Sequence, residues 1–176
     1  MGDADKLRHF ETTVLAHLDA AYNLARWITR NDSGAEDAVQ EACLRAFRFF
    51  ANQHGPNPKA WFMAIVRNAC MDWLKEQRPR ALEDEYDDDA HSVAAGPSEP
   101  DAAAMNAVET RWIRECIAAL PAEYREVIVL RELEELSYKE ISAVIDVPIG
   151  TVMSRLSRAR DLLQQKMVDA RLRMKS

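Results

Sequence analysis

Apolar residues recur every three or four positions along most of this chain, which is the spacing of amphipathic helices. Glycine is scarce, and runs of alanine, leucine, glutamate, arginine and glutamine favour helix. The pattern therefore predicts an all-α protein. Because two blocks of such helices flank a stretch with almost no large apolar residues, we expect two small helical domains, in residues 1–80 and 107–176, joined by a linker in 81–106.

The first domain is expected to contain three helices around one core. Their predicted bounds are about 7–30, 35–50 and 58–77. A capping box of Ser33 and Glu36 predicts the start of the second helix, and Asn57 is placed to cap the third. The Arg-Pro-Arg sequence at 78–80 is expected to end the third helix. On the second helix, the side chains predicted to face inward are Val39, Cys43, Phe47 and Phe50.

The segment 81–106 is predicted to be a flexible acidic linker. Residues 81–108 contain 8 aspartates or glutamates and no lysine or arginine, and they include prolines and a Gly-Pro turn signal. Such a composition cannot bury enough apolar surface to offset the entropy lost on ordering. The acidic run at 83–89 is a candidate for a hard cation, but it lacks the glycine-containing spacing of an EF-hand loop, so no metal is predicted there.

Four helices are expected in the second domain. The first resumes near Ala107, and the next covers about 122–133. The predicted buried side of the first is Val108, Trp112, Cys116, Ile117 and Leu120.

The segment 137–163 has the pattern of a helix-turn-helix. Ser137 and Glu140 form a capping box that predicts a short helix, and Pro148 interrupts it before a second, longer helix. One stripe of the second helix is apolar and predicted to be buried, at Val152, Leu156, Ala159, Leu163 and Met167. The opposite face carries hydroxyl and guanidinium groups at Thr151, Ser154, Arg155 and Arg158. Such a helix fits a DNA major groove, although a solvated hairpin at the end of a bundle has the same pattern.

The net charge of −6 is unevenly distributed along the chain. Residues 139–176 hold 8 lysines or arginines against 4 aspartates or glutamates, which is the sign that suits phosphates. That surplus is small. A larger partner is therefore expected to supply most of the electrostatic contribution to DNA binding.

Other features narrow the class of protein. No run approaches the roughly 18 consecutive apolar residues of a membrane span, and residues 1–13 lack the apolar core of a signal peptide, so a cytoplasmic protein without membrane insertion is expected. No arrangement of nucleophile, base and oxyanion donors is evident, which predicts neither enzyme activity nor a cofactor. The isolated Cys43, Cys70 and Cys116 favour buried free thiols over disulfides or zinc ligands, with oxidant sensing by Cys43 or Cys70 as the alternative.

Three motifs, in this order, resemble the extracytoplasmic-function (ECF) sigma factors, the two-domain bacterial sigma factors of the sigma-70 class. They are SGAEDAVQEACLRAFRFF from Ser33, KAWFMAIVRNACMDWLK from Lys59 and LPAEYREVIVLRELEELSYKEISAVIDVPIGTVMSRLSRAR from Leu120. The resemblance implies a first domain like sigma region 2 and a second like sigma region 4. It also implies a subunit that binds core RNA polymerase, recognises −35 and −10 promoter elements, promotes DNA melting and leaves after initiation.

The resemblance further implies which positions carry these functions. Binding to the β′ clamp helices of the polymerase is implied for Asp37, Gln40, Glu41 and Arg45. Contact with the −10 element is implied for Asn52, Gln53, His54, Asn57, Asn68 and Asp72. Contact with the −35 element is implied for Thr151, Met153, Ser154, Arg155, Ser157 and Arg158. Arg158 is the best suited to direct readout, because a guanidinium can bond to guanine O6 and N7 together.

Further partners are expected from the same resemblance. The β flap of the polymerase is a second contact of the core enzyme, and an anti-sigma factor is expected to hold the protein inactive. The acidic linker either imitates nascent RNA inside the polymerase or serves as a solvated tether.

Two other functions stay open from the sequence. A stand-alone helix-turn-helix regulator would normally dimerise on two half-sites, but this chain has no coiled coil or other evident dimer face, and no stable homo-oligomer is expected. A helical adaptor that binds only proteins is the other alternative.

Overall fold

A computed structural model describes residues 2–52, 55–83 and 104–176 of the chain. Within those ranges every regular element is helical, which confirms the all-α prediction. The helices are α1 (Asp3–Thr13), α2 (Leu18–Thr29), α3 (Asp32–Phe49), α4 (Pro58–Glu83), α5 (Ala104–Ala118), α6 (Ala122–Ile128), α7 (Tyr138–Ile145) and α8 (Ile149–Met174). Short 3-10 turns lie at Leu15–His17 and Phe50–Asn52, and a π-helical turn at Val129–Leu133 continues α6. None of these described helices combines the length and apolar character needed to cross a membrane.

The predicted first helix is two helices in the structure. Helices α1 and α2 are separated by the 3-10 turn Leu15–His17, so the prediction of one continuous helix over 7–30 is wrong. The ring of Phe10 packs edge-on against Phe47 and Phe50, with centroids 5.2 Å and 5.4 Å away, which ties α1 to the far end of α3. Helix α2 instead packs along α3 and α4, so the chain changes direction between them. The apolar spacing continues through the turn and therefore did not reveal it.

The start of α3 also differs from the prediction. The capping residue is Asn31, whose side-chain oxygen accepts a hydrogen bond from Gly34 N at 2.7 Å. Its extended backbone, with φ −148°, places the carboxamide over the first turn. The predicted Ser33–Glu36 capping box is therefore wrong, because the helix begins at Asp32 and Ser33 already lies inside it.

Small residues form the inner face of α3. The buried set is Gly34, Ala35, Ala38, Val39, Ala42 and Ala46. Of the four predicted inward positions, Val39 and Phe50 are buried, Cys43 is half-buried against the core, and Phe47 is exposed. Alanine side chains let the axes of α2 and α4 approach α3 closely, and the large side chains of Phe62 and Leu24 fill the space between the helices.

Helix α4 begins as predicted and ends later than predicted. The Asn57 side-chain oxygen accepts a hydrogen bond from Ala60 N at 3.3 Å, which confirms the cap. The helix then runs through Pro79 to Glu83, so the predicted end at 78–80 is wrong. Pro79 is exposed, and its missing N–H costs one hydrogen bond on a face that water can reach. Most of the predicted linker, residues 84–103, lies outside the described residues.

The second domain packs α5, α6 and α7 against α8. Of the predicted buried side, Cys116 and Ile117 on α5 and Leu120 just after it are buried, Trp112 is half-buried, and Val108 is exposed. Arg125 is buried, and its Nη1 donates to the carbonyl oxygen of Ala118 at 3.1 Å, which satisfies the C-terminal end of α5. Burial lowers the pKa of this guanidinium most, and the nearby positive charge of Arg30 lowers it further. The sequence predicted one helix over 122–133, and the structure has α6 followed by the π-helical turn.

The two domains pack against each other. Helix α4 of the first domain contacts α7 of the second, and α2 contacts α6 and the π-helical turn. Buried apolar side chains of both domains form one continuous cluster. Helix α4 is therefore covered on one side by its own domain and on another by the helix-turn-helix domain.

Substitution of Gly34 by alanine tests the close packing of α3. A Cβ at this position would lie 2.7 Å from Cε2 of the Trp73 ring, which is closer than packed atoms tolerate. We expect Gly34→Ala to lower the free energy of unfolding by about 1–2 kcal/mol, because overpacking exceeds the helix-propensity gain. Urea denaturation followed by circular dichroism measures this change.

Gly150→Ala is the matched control, since it also changes a glycine in the first turn of a helix but no atom lies within 4 Å of the added Cβ. Its expected effect is a gain of roughly 0.5–1 kcal/mol. Equal effects of the two substitutions would contradict the packing interpretation.

Candidate nucleic-acid interface

The helix-turn-helix is fixed by local hydrogen bonds. Glu140 N donates to Ser137 Oγ, and Ser137 N donates to Glu140 Oε2, both at 3.1 Å, which confirms the predicted capping box at the start of α7. Asp146 ends α7 in the left-handed conformation, with φ 55°. The hydroxyl of Ser142 donates to the carbonyl of Val147 and holds the turn against α7. Pro148 then precedes α8, so the interruption predicted at this proline is confirmed.

Helix α8 presents a polar face that begins directly after this turn. Val152, Leu156 and Ala159 are buried, and Leu163 and Met167 are half-buried, so the apolar stripe lies where the sequence predicted it. The side chains on the opposite side, Met153, Ser154, Ser157 and Arg158, are all exposed. Among the described residues, Arg158 has no hydrogen bond or ion pair. Its guanidinium is therefore available to a ligand.

Two of the predicted −35 residues lie at the edge of this face. Thr151 and Arg155 are half-buried, and Arg155 Nη2 is 4.0 Å from Glu123 Oε2 of α6. Arg160, further along, donates to Glu132 at 2.9 Å, and this hydrogen bond is the main reason that its pKa is raised. All six predicted −35 residues thus lie in the first three turns of α8, and Arg158 is the last of them.

The predicted −10 residues are near the start of α4 and along it. Asn52 ends the 3-10 turn after α3 and is exposed, as is Asn68 on α4. Asn57 uses its side-chain oxygen to cap α4, which leaves its NH2 group to donate elsewhere. Gln53 and His54 lie outside the described residues. The structure therefore brings Asn57 and Asn68 onto one helix, and it adds Asp72 one turn beyond Asn68.

Asp72 is held by an ion pair that joins two predicted sites. Arg45 of α3 donates from Nη1 to Asp72 Oδ2 at 2.9 Å and from Nε to Glu41 Oε1 at 2.8 Å. Both hydrogen bonds raise the pKa of Arg45, and the one to Glu41 has the larger effect. The guanidinium compensates the negative charge of Asp72, so this carboxylate is less repulsive to a nearby phosphate than its sequence position suggests.

The predicted polymerase-binding face of α3 contains an apolar residue that the sequence reasoning missed. Asp37, Gln40 and Glu41 are exposed, and Leu44 lies on the same side of the helix with 64% of its surface exposed. Leu44 follows Gln40 by four positions and Glu41 by three, so helical spacing alone would have placed it on this face. Single exposed apolar side chains are common on protein surfaces, so Leu44 adds an apolar group to this face without assigning it a partner.

Sequence reasoning also missed two ion pairs between the domains. Lys59 Nζ is 3.2 Å from Glu134 Oε2, and Arg67 donates to both carboxylate oxygens of Glu126. Asn23 donates to Glu134 Oε1 at 2.7 Å. The partners are separated by 59 to 111 residues in the chain, so no local pattern could have paired them.

The cysteines are placed in the interior rather than at a reactive surface. Cys70 and Cys116 are buried, and Cys43 is half-buried. Burial is the main cause that raises the pKa of Cys70 to about 12, and the negative charge of Glu126 adds to it. Burial also raises the pKa of Cys43 and of Cys116. In the described part of the chain, no cluster of His, Cys, Asp and Glu side chains is suited to a metal ion.

The fold and this surface define a two-domain helical protein with a helix-turn-helix in its second domain. The family model for sigma-70 region 2 matches residues 13–80, and the model for sigma-70 region 4 matches residues 110–163. The chain belongs to the ECF sigma factors of the sigma-70 class.

Similar proteins come from several bacteria. The ECF RNA polymerase sigma factor SigE of Mycolicibacterium smegmatis is 31% identical over 93% of this chain, which spans 63% of that protein and so less than two thirds of it. The ECF RNA polymerase sigma-E factor of Haemophilus influenzae is 33% identical over 81% of this chain and 78% of that protein. The solved structure of the sigma factor RpoE from Bartonella quintana, in complex with the anti-sigma factor NepR, matches 90% of this chain and 96% of that chain with a TM-score of 0.70 at 30% identity.

Alkylation of the cysteines tests whether they are packed or reactive. With iodoacetamide at about pH 8, we expect Cys70 and Cys116 to stay unmodified in the folded protein and Cys43 to react slowly, because only the thiolate attacks. Peptide mass spectrometry measures each site, and the same reaction in urea, where all three should react, is the control. Rapid modification of folded Cys70 would contradict this assignment and favour an oxidant sensor.

Proposed function

We propose that this protein binds core RNA polymerase, recognises −35 and −10 promoter elements and promotes DNA melting at the start of transcription. The observation that carries the proposal is the first half of α8. There a capped helix-turn-helix presents Ser154, Ser157 and Arg158 to solvent while the apolar stripe behind them is buried. The family to which the chain belongs supports the assignment. In this function the protein supplies binding and recognition, and it is not an enzyme.

Recognition of the −35 element is assigned to α8. Arg158 is proposed to read a guanine, because its exposed guanidinium can donate two parallel hydrogen bonds in the major groove. Ser154 and Ser157 flank it, and Thr151, Met153 and Arg155 border the same face. Arg155 can contact phosphate once it leaves Glu123, since a separation of 4.0 Å between partly exposed groups is a weak interaction.

Recognition of the −10 element is assigned to the start of α4 and the loop before it. Capture of an unstacked base costs a few kcal/mol and needs hydrogen bonds to the base edge. Asn52, Asn57 and Asn68 offer carboxamides for such bonds, and we assign Gln53 and His54 to the same site from the family resemblance. Asp72 is proposed to contribute mainly through its ion pair with Arg45.

Polymerase binding is assigned to the exposed side of α3. Asp37, Gln40, Glu41 and Leu44 combine acids with one large apolar group, so a basic partner surface with an apolar patch would complement them. Arg45 is proposed to hold Glu41 in place within this surface. The second domain exposes Val168 and Leu172 on α8, and these are candidates for contact with the β flap.

An anti-sigma factor is a further proposed partner. The solved RpoE structure contains one, NepR, and its likeness to this chain extends over both domains. We propose that a protein of this kind binds here and covers the polymerase- and DNA-binding surfaces. A stand-alone helix-turn-helix regulator and a protein-only adaptor are the competing functions, and the experiments below separate them.

Transcription with purified core polymerase tests DNA recognition. Fragmented genomic DNA of the source bacterium is the template, and new start sites are mapped with and without the protein. Arg158→Ala is expected to remove most of the new starts, because a good guanidinium–guanine contact is worth about 1–3 kcal/mol. Arg173→Ala is the matched control, as it removes the same charge near the far end of α8. No new starts with the folded wild-type protein, together with specific DNA binding by the protein alone, would favour the stand-alone regulator.

Direct binding to core polymerase tests the assignment of α3. We expect Asp37→Ala to weaken the complex by about tenfold, or about 1.4 kcal/mol, because it removes an exposed charge from the proposed contact surface. Glu76→Ala removes an exposed acid from α4 and should leave the affinity unchanged. Biolayer interferometry with immobilised polymerase measures both variants. Equal affinities for Asp37→Ala and wild type would contradict this placement of the polymerase contact.

A further inference from the structure

A cavity of about 590 Å³ lies between Arg30, at the end of α2, and the helices α5 and α8 of the second domain. Its apolar walls are formed by Ala118, Ala119, Leu120, Pro121 and Leu162. Cavities of this size commonly bind small molecules, and they are frequent where two domains meet. The size and the walls therefore suit a small ligand with an apolar body.

The charged side chains around the cavity leave an excess of positive charge. Arg30 and Lys166 both line it, and within the part of the chain that the structure describes neither side chain has a hydrogen bond or an ion pair. Glu115 also lines the cavity, but its Oε1 already accepts a hydrogen bond from Arg111 at 3.1 Å. Two cations without a partner beside an apolar wall attract an anion.

A third cation lies directly behind the cavity wall. Arg125 is buried, and its Nη1 donates to the carbonyl oxygen of the wall residue Ala118. After burial, the charge of Arg30 is the next cause that lowers the pKa of Arg125, so the two positive groups repel each other. Glu126 offsets part of this repulsion, but its carboxylate is paired with Arg67. An anion at the cavity would reduce the remaining repulsion.

The backbone at Arg30 is an independent observation that points to the same cavity. Arg30 follows the last residue of α2 with φ 54°, in the left-handed region, where glycine or asparagine is usual. An arginine in this conformation is more strained than glycine would be, and strained residues of this kind cluster at binding sites. The chain thus places a cationic side chain at the cavity at a cost in stability.

We propose that this cavity binds a small organic anion with an apolar body. Arg30 and Lys166 hold the anionic group, and the apolar walls cover the rest of the molecule. Because Arg30 belongs to the first domain and Lys166 to the second, the ligand contacts both domains. None of the lining residues is among those assigned above to polymerase or DNA, so the proposal does not rest on promoter recognition.

Titration of the full-length protein with octyl phosphate, below its micellar concentration, tests the site. Isothermal titration calorimetry measures the affinity, and heteronuclear NMR locates the bound ligand through the backbone amides. We expect one saturable site with the largest shifts at Ala118, Ala119 and Leu162. Inorganic phosphate lacks the apolar body and octyltrimethylammonium lacks the negative charge, so each should bind about tenfold more weakly or worse.

Two substitutions remove the cations one at a time. Lys166→Gln and Arg30→Gly should each weaken binding of octyl phosphate by about fivefold, as expected for the loss of one partly exposed ion pair. Arg30→Gly should also raise the melting temperature, because glycine relieves the left-handed strain and removes a charge that repels Arg125. A variant that is more stable and binds more weakly cannot have lost binding through misfolding.

Each substitution has a matched control. Lys75→Gln removes an exposed lysine from α4 that does not line the cavity. Asp146→Gly places glycine at the same left-handed position of another helix, since Asp146 ends α7 with φ 55° and also lies outside the cavity lining. Both control variants should bind octyl phosphate as tightly as the wild type.

Equal affinities for octyl phosphate and octyltrimethylammonium would overturn the proposal, as would unchanged affinity in both cation variants. Absence of saturable binding would do the same. Shifts confined to Met167 and Val168 would also contradict the assignment, because these residues line a different groove, between α5 and the end of α8.

Discussion

Helix α4 has to satisfy two domains at once, and the rest of the structure depends on this constraint. One side of the helix is closed by α2 and the alanine face of α3, and another side is closed by α7. The same helix carries Asn68, which is exposed, and Asp72, which pairs with Arg45 of α3. A change in how the domains pack therefore alters which side chains of α4 are exposed.

The helix-turn-helix was predictable because its signals are local. The capping box of Ser137 and Glu140, the proline at 148 and the stripe from Val152 to Ala159 all act within one or two turns of the chain. The prediction of one continuous first helix was wrong because the contact that matters there is distant in the sequence. Its apolar spacing continues across a 3-10 turn that is imposed by packing of Phe10 on the end of α3, and this contact spans about 40 residues of sequence.

The size of the side chains, rather than their spacing, decides which face of α3 is buried. The pattern on α3 pointed to Phe47 and Cys43 as core residues, but close approach of three helices favours alanine, so the stripe of Ala35, Ala38, Ala42 and Ala46 is the buried one. The same holds for the candidate sites. The exposure of Arg158 follows from its helix face alone, whereas the pairing of Arg45 with Asp72 and of Arg67 with Glu126 joins different helices and required the folded chain.

The π-helical turn before the helix-turn-helix sets the orientation of the second domain in a way that a regular helix would not. Glu134 N donates to the carbonyl of Val129, five residues back, so Val129–Leu133 holds one more residue than an α-helical turn would. One residue corresponds to about 100° of rotation about a helix axis. The orientation of α8 relative to α6 is thus coupled to the length of this turn, and an inserted or deleted residue here would redirect α8 without altering a single one of its side chains.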